Sequence, residues 1–413
     1  MSNTLIIGNG FDLAHGLPTK YSDFLDFITL YITKYHSSWG RWGLVDDKDS
    51  DEDKWTERRW SFYHAVLKNL KSNVSAQVKK SFEEYGDVFH NLLTKEASLN
   101  NFQYNTFLRY CLHEYSYKKT LNGDFNWIDI EDEIQRFILD LEPELKTLSE
   151  LKKVSVRVRN CINYENVDAK LFYIPTITDA LINKNIPDEY LKQAVFGLLF
   201  EELENFNTLL KLYLQTITTT LNKSDKPFLI NSYVTNVSQG IRRRIKIDHV
   251  LSFNYTDTAG MYVPKENIRF INGSLDSSKI ILGIENPDLS KTNEFCKDNM
   301  HLFFKNTQRV LYNSSREYEK WVTVLEHSKK KEIPSGVDLH IIGHSLAISD
   351  KYILEGLILG ARKVTIYYYN ETDRQCKISN LYQLLGDEKF SKHVENQYAR
   401  PYISLSSLDE LKR

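Results

Sequence analysis

The chain has 413 residues, which at roughly 150 per domain allows two or three domains and a large buried core. Hydrophobic residues make up 41% and charged residues 26%, a balance that excludes a disordered chain. With 53 basic and 55 acidic residues the formal net charge is −2, so no global field draws the protein to nucleic acid or an anionic membrane. No stretch approaches the roughly eighteen consecutive apolar residues of a membrane-spanning helix. Met1-Ser2-Asn3-Thr4 carries no positive charge before its short apolar run, unlike a signal peptide. A cytoplasmic protein without a membrane partner is expected.

Thr4-Leu5-Ile6-Ile7 is a short apolar run ending at Gly8, the pattern of a buried strand in a parallel sheet. From Ser22 the period becomes helical: Phe24, Leu25, Phe27, Ile28, Tyr31, Ile32 and Tyr35 share one face. Further helices are expected near 60–72, 81–97, 102–118, 131–149 and, longest, from Asp188 to about Leu221. Almost nothing between 21 and 240 reads as a strand. Strands then return at Ile245–Phe253, Ile268–Ile271, Ile280–Leu282, Leu339–Ile342 and Val364–Tyr369. Helices near 300–330, 350–360 and 378–386 are interleaved with them, the second capped by Ser349 or Asp350 and ended by Gly360.

Alternation of strand and helix predicts an α/β class. A lone first strand cannot satisfy its backbone in a helical domain, so it is expected to join the later sheet. The predicted organisation is a discontinuous α/β domain, 1–20 plus 241–413, with a large all-helical insertion over 21–240.

Several motifs are incomplete. The four cysteines, Cys111, Cys161, Cys296 and Cys376, form no Cys-x-x-Cys pair. His113-Glu114 lacks its second histidine at Tyr117. Asp47, Asp49 and Asp51 open like a calcium loop, but Glu52 and Arg58 occupy the turn-glycine and bidentate positions. No metal is expected. Asp129, Glu131, Asp132 and Glu133 sit at a helix start, where acidic residues favour the dipole; the functional alternative is that Asp129 and Glu131 enter a nucleotide pocket from the helical insertion or hold Mg²⁺ for phosphodiester cleavage. Arg242-Arg243-Arg244 with Lys246 is read as solvated surface, so nucleic acid is not the expected partner.

The turn after the first strand, Gly8-Asn9-Gly10-Phe11-Asp12-Leu13-Ala14-His15-Gly16-Leu17-Pro18, offers backbone amides that can approach a phosphate. Leu13 stands where the ordinary dinucleotide fingerprint has its third glycine, so a dehydrogenase-type site is excluded. A plain strand-to-helix turn fits the same residues.

The string IIGNGFDLAHGLPTKYSDF resembles the opening motif of the AbiH-type phage abortive-infection family. Trp127-Ile128-Asp129-Ile130-Glu131, Phe253-Asn254-Tyr255-Thr256-Asp257, and Gly343-His344-Ser345-Leu346 with Asp350 resemble it too. A more distant resemblance is to sirtuin-like proteins. It rests on the spacing of Gly8, Gly10, Gly16 and Leu17-Pro18, the Asn254 turn, and the Gly343 strand-loop.

These resemblances imply a sirtuin-like, Rossmann-type, mainly parallel sheet and an anti-phage effector that binds an adenine dinucleotide, NAD, and acts as an NAD glycohydrolase. Gly8, Asn9, Gly10, Asp12, His15, Gly16, Asn254, Gly343 and Ser345 would contact the nucleotide; Asn254, Asp257 and His344 would be catalytic. Asn254 would place water or a ribose hydroxyl, Asp257 or Asp12 would offset charge at the anomeric carbon, and His344 or His15 would exchange a proton.

Asn254 and Asp257 equally suit an Asx turn, and His344 a buried, satisfied histidine. Asn272 stands where sirtuin-like enzymes carry a histidine, and asparagine takes up no proton. A nucleotide sensor without turnover and a metal-dependent nuclease are the rival readings. A phage-derived trigger and a homo-oligomer are the expected partners. The Gly343-His344-Ser345-Leu346-Ala347 segment also has part of an esterase elbow. Too few strands are expected after it to deliver Asp373 and His393.

Overall fold

The computed structural model describes residues 2–35, 65–99, 102, 105–122, 129–141, 145–147, 149–153, 177, 181, 186–221, 241, 245–284, 298–314, 337–395 and 401–411. The chain divides into two compact units. One comprises Met1–Thr19, Ile217–Glu285 and Lys305–Arg413; the other comprises Lys20–Thr216 and Asn286–Phe304. No helix among the described residues is long and apolar enough to cross a membrane. The Asp47–Arg58 stretch, Cys161, Cys296, Trp127-Ile128 and Arg242–Arg244 lie outside the described residues.

The first unit is built on one all-parallel sheet of six strands. They are β1 (Ser2–Ile7), β2 (His249–Ser252), β3 (Ile268–Phe270), β4 (Val337–Ile342), β5 (Lys363–Tyr368) and β6 (Tyr402–Ser407), in the order β3-β2-β1-β4-β5-β6. β1 lies between β2 and β4, with Ile7 level with both Ser252 and Ile342. The period-two rule then sorts its side chains. Ile6 packs with Leu251, Leu339, Ile341, Val364 and Ile366 in one core. Leu5 and Ile7 pack with Val250, Ile268 and Ile342 in another. Both faces are covered, which is why Leu5-Ile6-Ile7 is an unbroken apolar run. Each such buried side chain contributes about 1.5–3 kcal/mol.

Several elements differ from expectation. Ile280–Leu282 is buried yet not a strand. Its carbonyls accept side-chain donors instead, Ile281 O from the Tyr255 hydroxyl at 2.7 Å and Leu282 O from Gln308 Nε2 at 3.1 Å. β6 is a strand that the sequence pattern does not predict. The helix after β5 runs Glu371–Leu385 and starts earlier than its pattern suggests, because Asn370 Oδ1 accepts from the Asp373 amide at 2.8 Å. Asp350 precedes the helix Lys351–Gly360 without capping it through its side chain.

The second unit holds helices and no strand among its described residues between 20 and 216. The aromatic stripe of the helix Tyr21–Tyr35 is its centre. Phe24 and Phe27 meet Phe206, Tyr213, Phe82 and Phe89 at ring-centroid distances of 5.1 to 5.7 Å. Asp26 on that helix forms a buried ion pair with Lys119, 3.0 Å between Nζ and Oδ1.

Candidate functional site

Because β1, β2 and β4 end level, the loops that follow them leave one edge of the sheet side by side. The strand order also reverses there, between β1 and β4. In open parallel sheets, ligands bind in the crevice outside the carboxyl ends at such a reversal.

The glycines make the loops meet. The Gly10 amide donates to Gly343 O at 2.8 Å, and the Gly8 amide to Ile342 O at 3.4 Å. A Cβ on Gly8 would lie 2.8 Å from His344 Cα, and one on Gly10 would lie 2.9 Å from Gly343 O. These two amides, expected to face a phosphate, are directed at the end of β4. Phe11 N donates to Gly8 O at 2.8 Å, closing a turn into the helix Asn9–Ala14. Asn9 Oδ1 accepts from the Thr19 hydroxyl at 2.6 Å. Gly16, at φ +80°, ends the short helix through its amide bond to Leu13 O at 3.0 Å.

Asn254 binds the same turn from the β2 side: its Nδ2 donates to Gly8 O at 3.0 Å, and the side chain is buried. Two residues on, the Thr256 hydroxyl donates to Asp12 Oδ2 at 2.5 Å. Asp12 is 1% exposed. Burial pushes its carboxyl up to about 6, against the lowering effect of the neighbouring polar side chains of Thr256, Thr258 and Asn254. Among the described residues its Oδ1 has no hydrogen-bond partner.

Both histidines are buried. His15 Nδ1 lies 2.7 Å from Phe11 O, and its Nε2 lies 2.7 Å from the Tyr262 hydroxyl. Burial lowers its pKa, with the Phe11 carbonyl opposing. His344 Nδ1 accepts from the Leu346 amide at 2.9 Å, and Nε2 lies 3.6 Å from Asp350 Oδ2. Burial takes His344 down to about 4 despite Asp350, with the Lys377 and Lys305 charges acting in the same direction as burial. Its ring packs edge-on to Phe253, with centroids 4.4 Å apart.

A buried ionic cluster supports this loop. Asp350 Oδ1 lies 3.3 Å from both Lys305 Nζ and Arg309 Nη2. These cations and His344 hold its pKa below the usual value, against the opposing effect of burial. Arg309 Nη2 also donates to Asn272 Oδ1 at 2.9 Å, and Asn272 Nδ2 to Phe253 O at 3.2 Å. Asn272 is therefore a brace for the residue before Asn254. Sequence reasoning missed Lys305, Arg309 and Thr256 as members of this neighbourhood. No spacing marks the two cations, because their burial depends on a carboxylate 41 and 45 positions away.

The structure thus brings together Gly8, Gly10, Asp12, Asn254, Gly343 and His344. Asp257 and Ser345 are exposed and hydrogen-bond to neither Asn254 nor Asp12. Partial burial raises the Asp257 carboxyl, with Lys265 opposing. Ser345, Asp373 and His393 share no hydrogen bond: Asp373 accepts from the Tyr369 amide, and His393 Nδ1 meets Pro401 O at 3.0 Å.

In the second unit, Asp129 Oδ1 accepts from the Glu131 and Asp132 amides at 3.0 and 3.3 Å, an N-cap for the helix Ile130–Leu141. Glu133 pairs with Lys118 and Arg136. Asp129→Ala is expected to lower stability by about 1 kcal/mol, measurable by urea denaturation, and to leave phage protection intact. Loss of protection in a folded Asp129→Ala protein would give the residue a chemical role.

The family model for bacteriophage abortive infection AbiH matches residues 4–369. Neither a curated protein nor a solved structure matches the chain. The family match takes in β1 to β5 and every loop of the crevice. By this match the chain belongs to the bacteriophage abortive infection AbiH family.

Proposed function

We propose that this protein protects a population against phage by binding an adenine dinucleotide, NAD, at the carboxyl edge of β1, β2 and β4 and hydrolysing its nicotinamide–ribose bond. The sirtuin-like, Rossmann-type reading of the α/β unit belongs to this proposal, as do a phage-derived trigger, a homo-oligomer and a cytoplasmic site of action. Family membership supports the abortive-infection role. The observation that carries the chemistry is the bond from Asn254 Nδ2 to Gly8 O at 3.0 Å, which joins chain segments 246 positions apart at the reversal of strand order.

Cleavage of this bond passes through an oxocarbenium-like state. The site has to orient the ribose, offset positive charge at the anomeric carbon and admit one water. In this reading Asn254 orients the ribose or the water through its amide oxygen, and Asp12 acts on the charge that develops. A sensor without turnover is the second reading. It is favoured by Asn272, both ends of whose amide are engaged by Phe253 and Arg309.

Cells expressing the protein are expected to lose NAD after phage infection, with nicotinamide rising in step. Asn254→Ala is expected to abolish that loss and reduce release by the purified, triggered protein about 100-fold, while circular dichroism stays unchanged. NAD binding without release, with the trigger present, would make the protein a sensor. No binding and no release would remove the dinucleotide from the account.

A further inference from the structure

Proton transfer at this edge of the sheet has three candidates by chemistry: His15, His344 and Asp12. Hydrogen bonding decides between them. Phe11 O only accepts, so the His15 nitrogen facing it, Nδ1, carries the proton; Nε2 then accepts from the Tyr262 hydroxyl. The Leu346 amide only donates, so His344 Nδ1 is the acceptor and Nε2 carries the proton, towards Asp350. Burial disfavours the charged form of each imidazole, and in the neutral ring both nitrogens already face a polar group. Asn272 has no basic lone pair, and Asp257 is exposed.

Asp12 differs on every count. Oδ2 is engaged by Thr256, while Oδ1 is buried and has no partner among the described residues. A buried carboxylate oxygen is normally matched with a donor, and a hydrolysis provides one in the attacking water. We infer that Asp12 is the general base of the proposed reaction, taking the proton of the attacking water on Oδ1. This rests on the NAD reading above. The water oxygen bonds to the anomeric carbon as the carbon–nitrogen bond breaks. The bonding pair leaves on the nicotinamide nitrogen, and the proton passes from Asp12 to solvent. The products are ADP-ribose, nicotinamide and one proton.

The groups facing Asp12 are Thr256, Thr258 and Asn254, none of them charged, and burial sets its pKa at about 6. The base must be ionised, so the rate should rise with pH through about 6 and level off above it.

The test uses the full-length, triggered protein, with NAD as the probe. Asp12→Asn is expected to release nicotinamide about 100-fold more slowly at saturating NAD, and to lose the acid limb of kcat/KM. Thr256→Val removes a bond that lowers the Asp12 pKa, so it should move the acid limb to higher pH. A carbon-13 carboxylate titration reads the same shift without substrate. Asp12→Asn turning over near the wild-type rate, or an acid limb unmoved in both variants, would overturn the inference and leave the NAD reading standing. Wild-type protein that neither binds nor cleaves NAD overturns both.

Discussion

Gly343→Ala is expected to be the most damaging single change to the α/β unit, at about 3–5 kcal/mol. Gly343 has φ +68°, and a Cβ there would sit 2.1 Å from Phe11 N and 2.6 Å from Gly10 C. Those are backbone atoms of the turn leaving β1, and they cannot swing aside like a side chain. Gly386 is the matched control, with φ +74° and nothing within 4 Å of the place an alanine methyl would take. Gly386→Ala therefore carries backbone strain alone, about 1–3 kcal/mol. Urea denaturation of both variants separates collision from strain; equal losses would mean that the two loops part without resistance.

Lys119→Ala is expected to cost about 3–5 kcal/mol, the usual result of removing one partner from a buried ion pair. Lys119 and Asp26 are each 5% exposed on the side chain. Lys119 also donates to Asn73 O at 3.2 Å and sits 4.4 Å from the Tyr115 ring centre. Burial already raises Asp26 from 3.8 to about 6, with Lys119 opposing. A carboxyl raised in the folded state favours folding less as pH climbs from its unfolded pKa to its folded one. Without Lys119 the folded value moves higher still. The cost of the substitution should then be level below about pH 6, where Asp26 weakens both proteins alike, and grow above it as the variant's carboxyl goes on resisting ionisation. Thermal melts across that range check it. A penalty independent of pH would mean that lost packing, and not stranded charge, dominates.

Much of the fold could be read from apolar period. Thr4–Ile7 shows as a central strand because both its faces are covered, which leaves no polar alternation. The same logic misplaced Ile280–Leu282, whose burial comes from a loop held by Tyr255 and Gln308. β6 escaped for the opposite reason. Tyr402–Ser407 is an edge strand with serines at alternate positions and one buried side chain, Ile403. In the site, Gly8, Gly10 and Asn254 were legible because a turn after a strand limits which residues fit. What a side chain does once there was not. Asp12 and Asp257 look alike as letters, but only Asp12 is buried, against a Thr256 turn 244 positions away that no local spacing encodes. Likewise Lys305 and Arg309 read as ordinary surface cations until Asp350 is placed against them.

The central position of β1 bears on how the protein is made. On the ribosome this strand emerges before either neighbour: Asn3 must wait for Asp248, 245 positions later, and the other neighbour begins only at Val337. At 5–20 residues per second the wait for the first partner is roughly 12–50 s. Lys20–Thr216, the larger part of the helical unit, emerges within that interval and can fold ahead of the sheet. A nascent chain halted before Val337 has no edge between β1 and β4, so translation that aborts early leaves a fragment without the crevice.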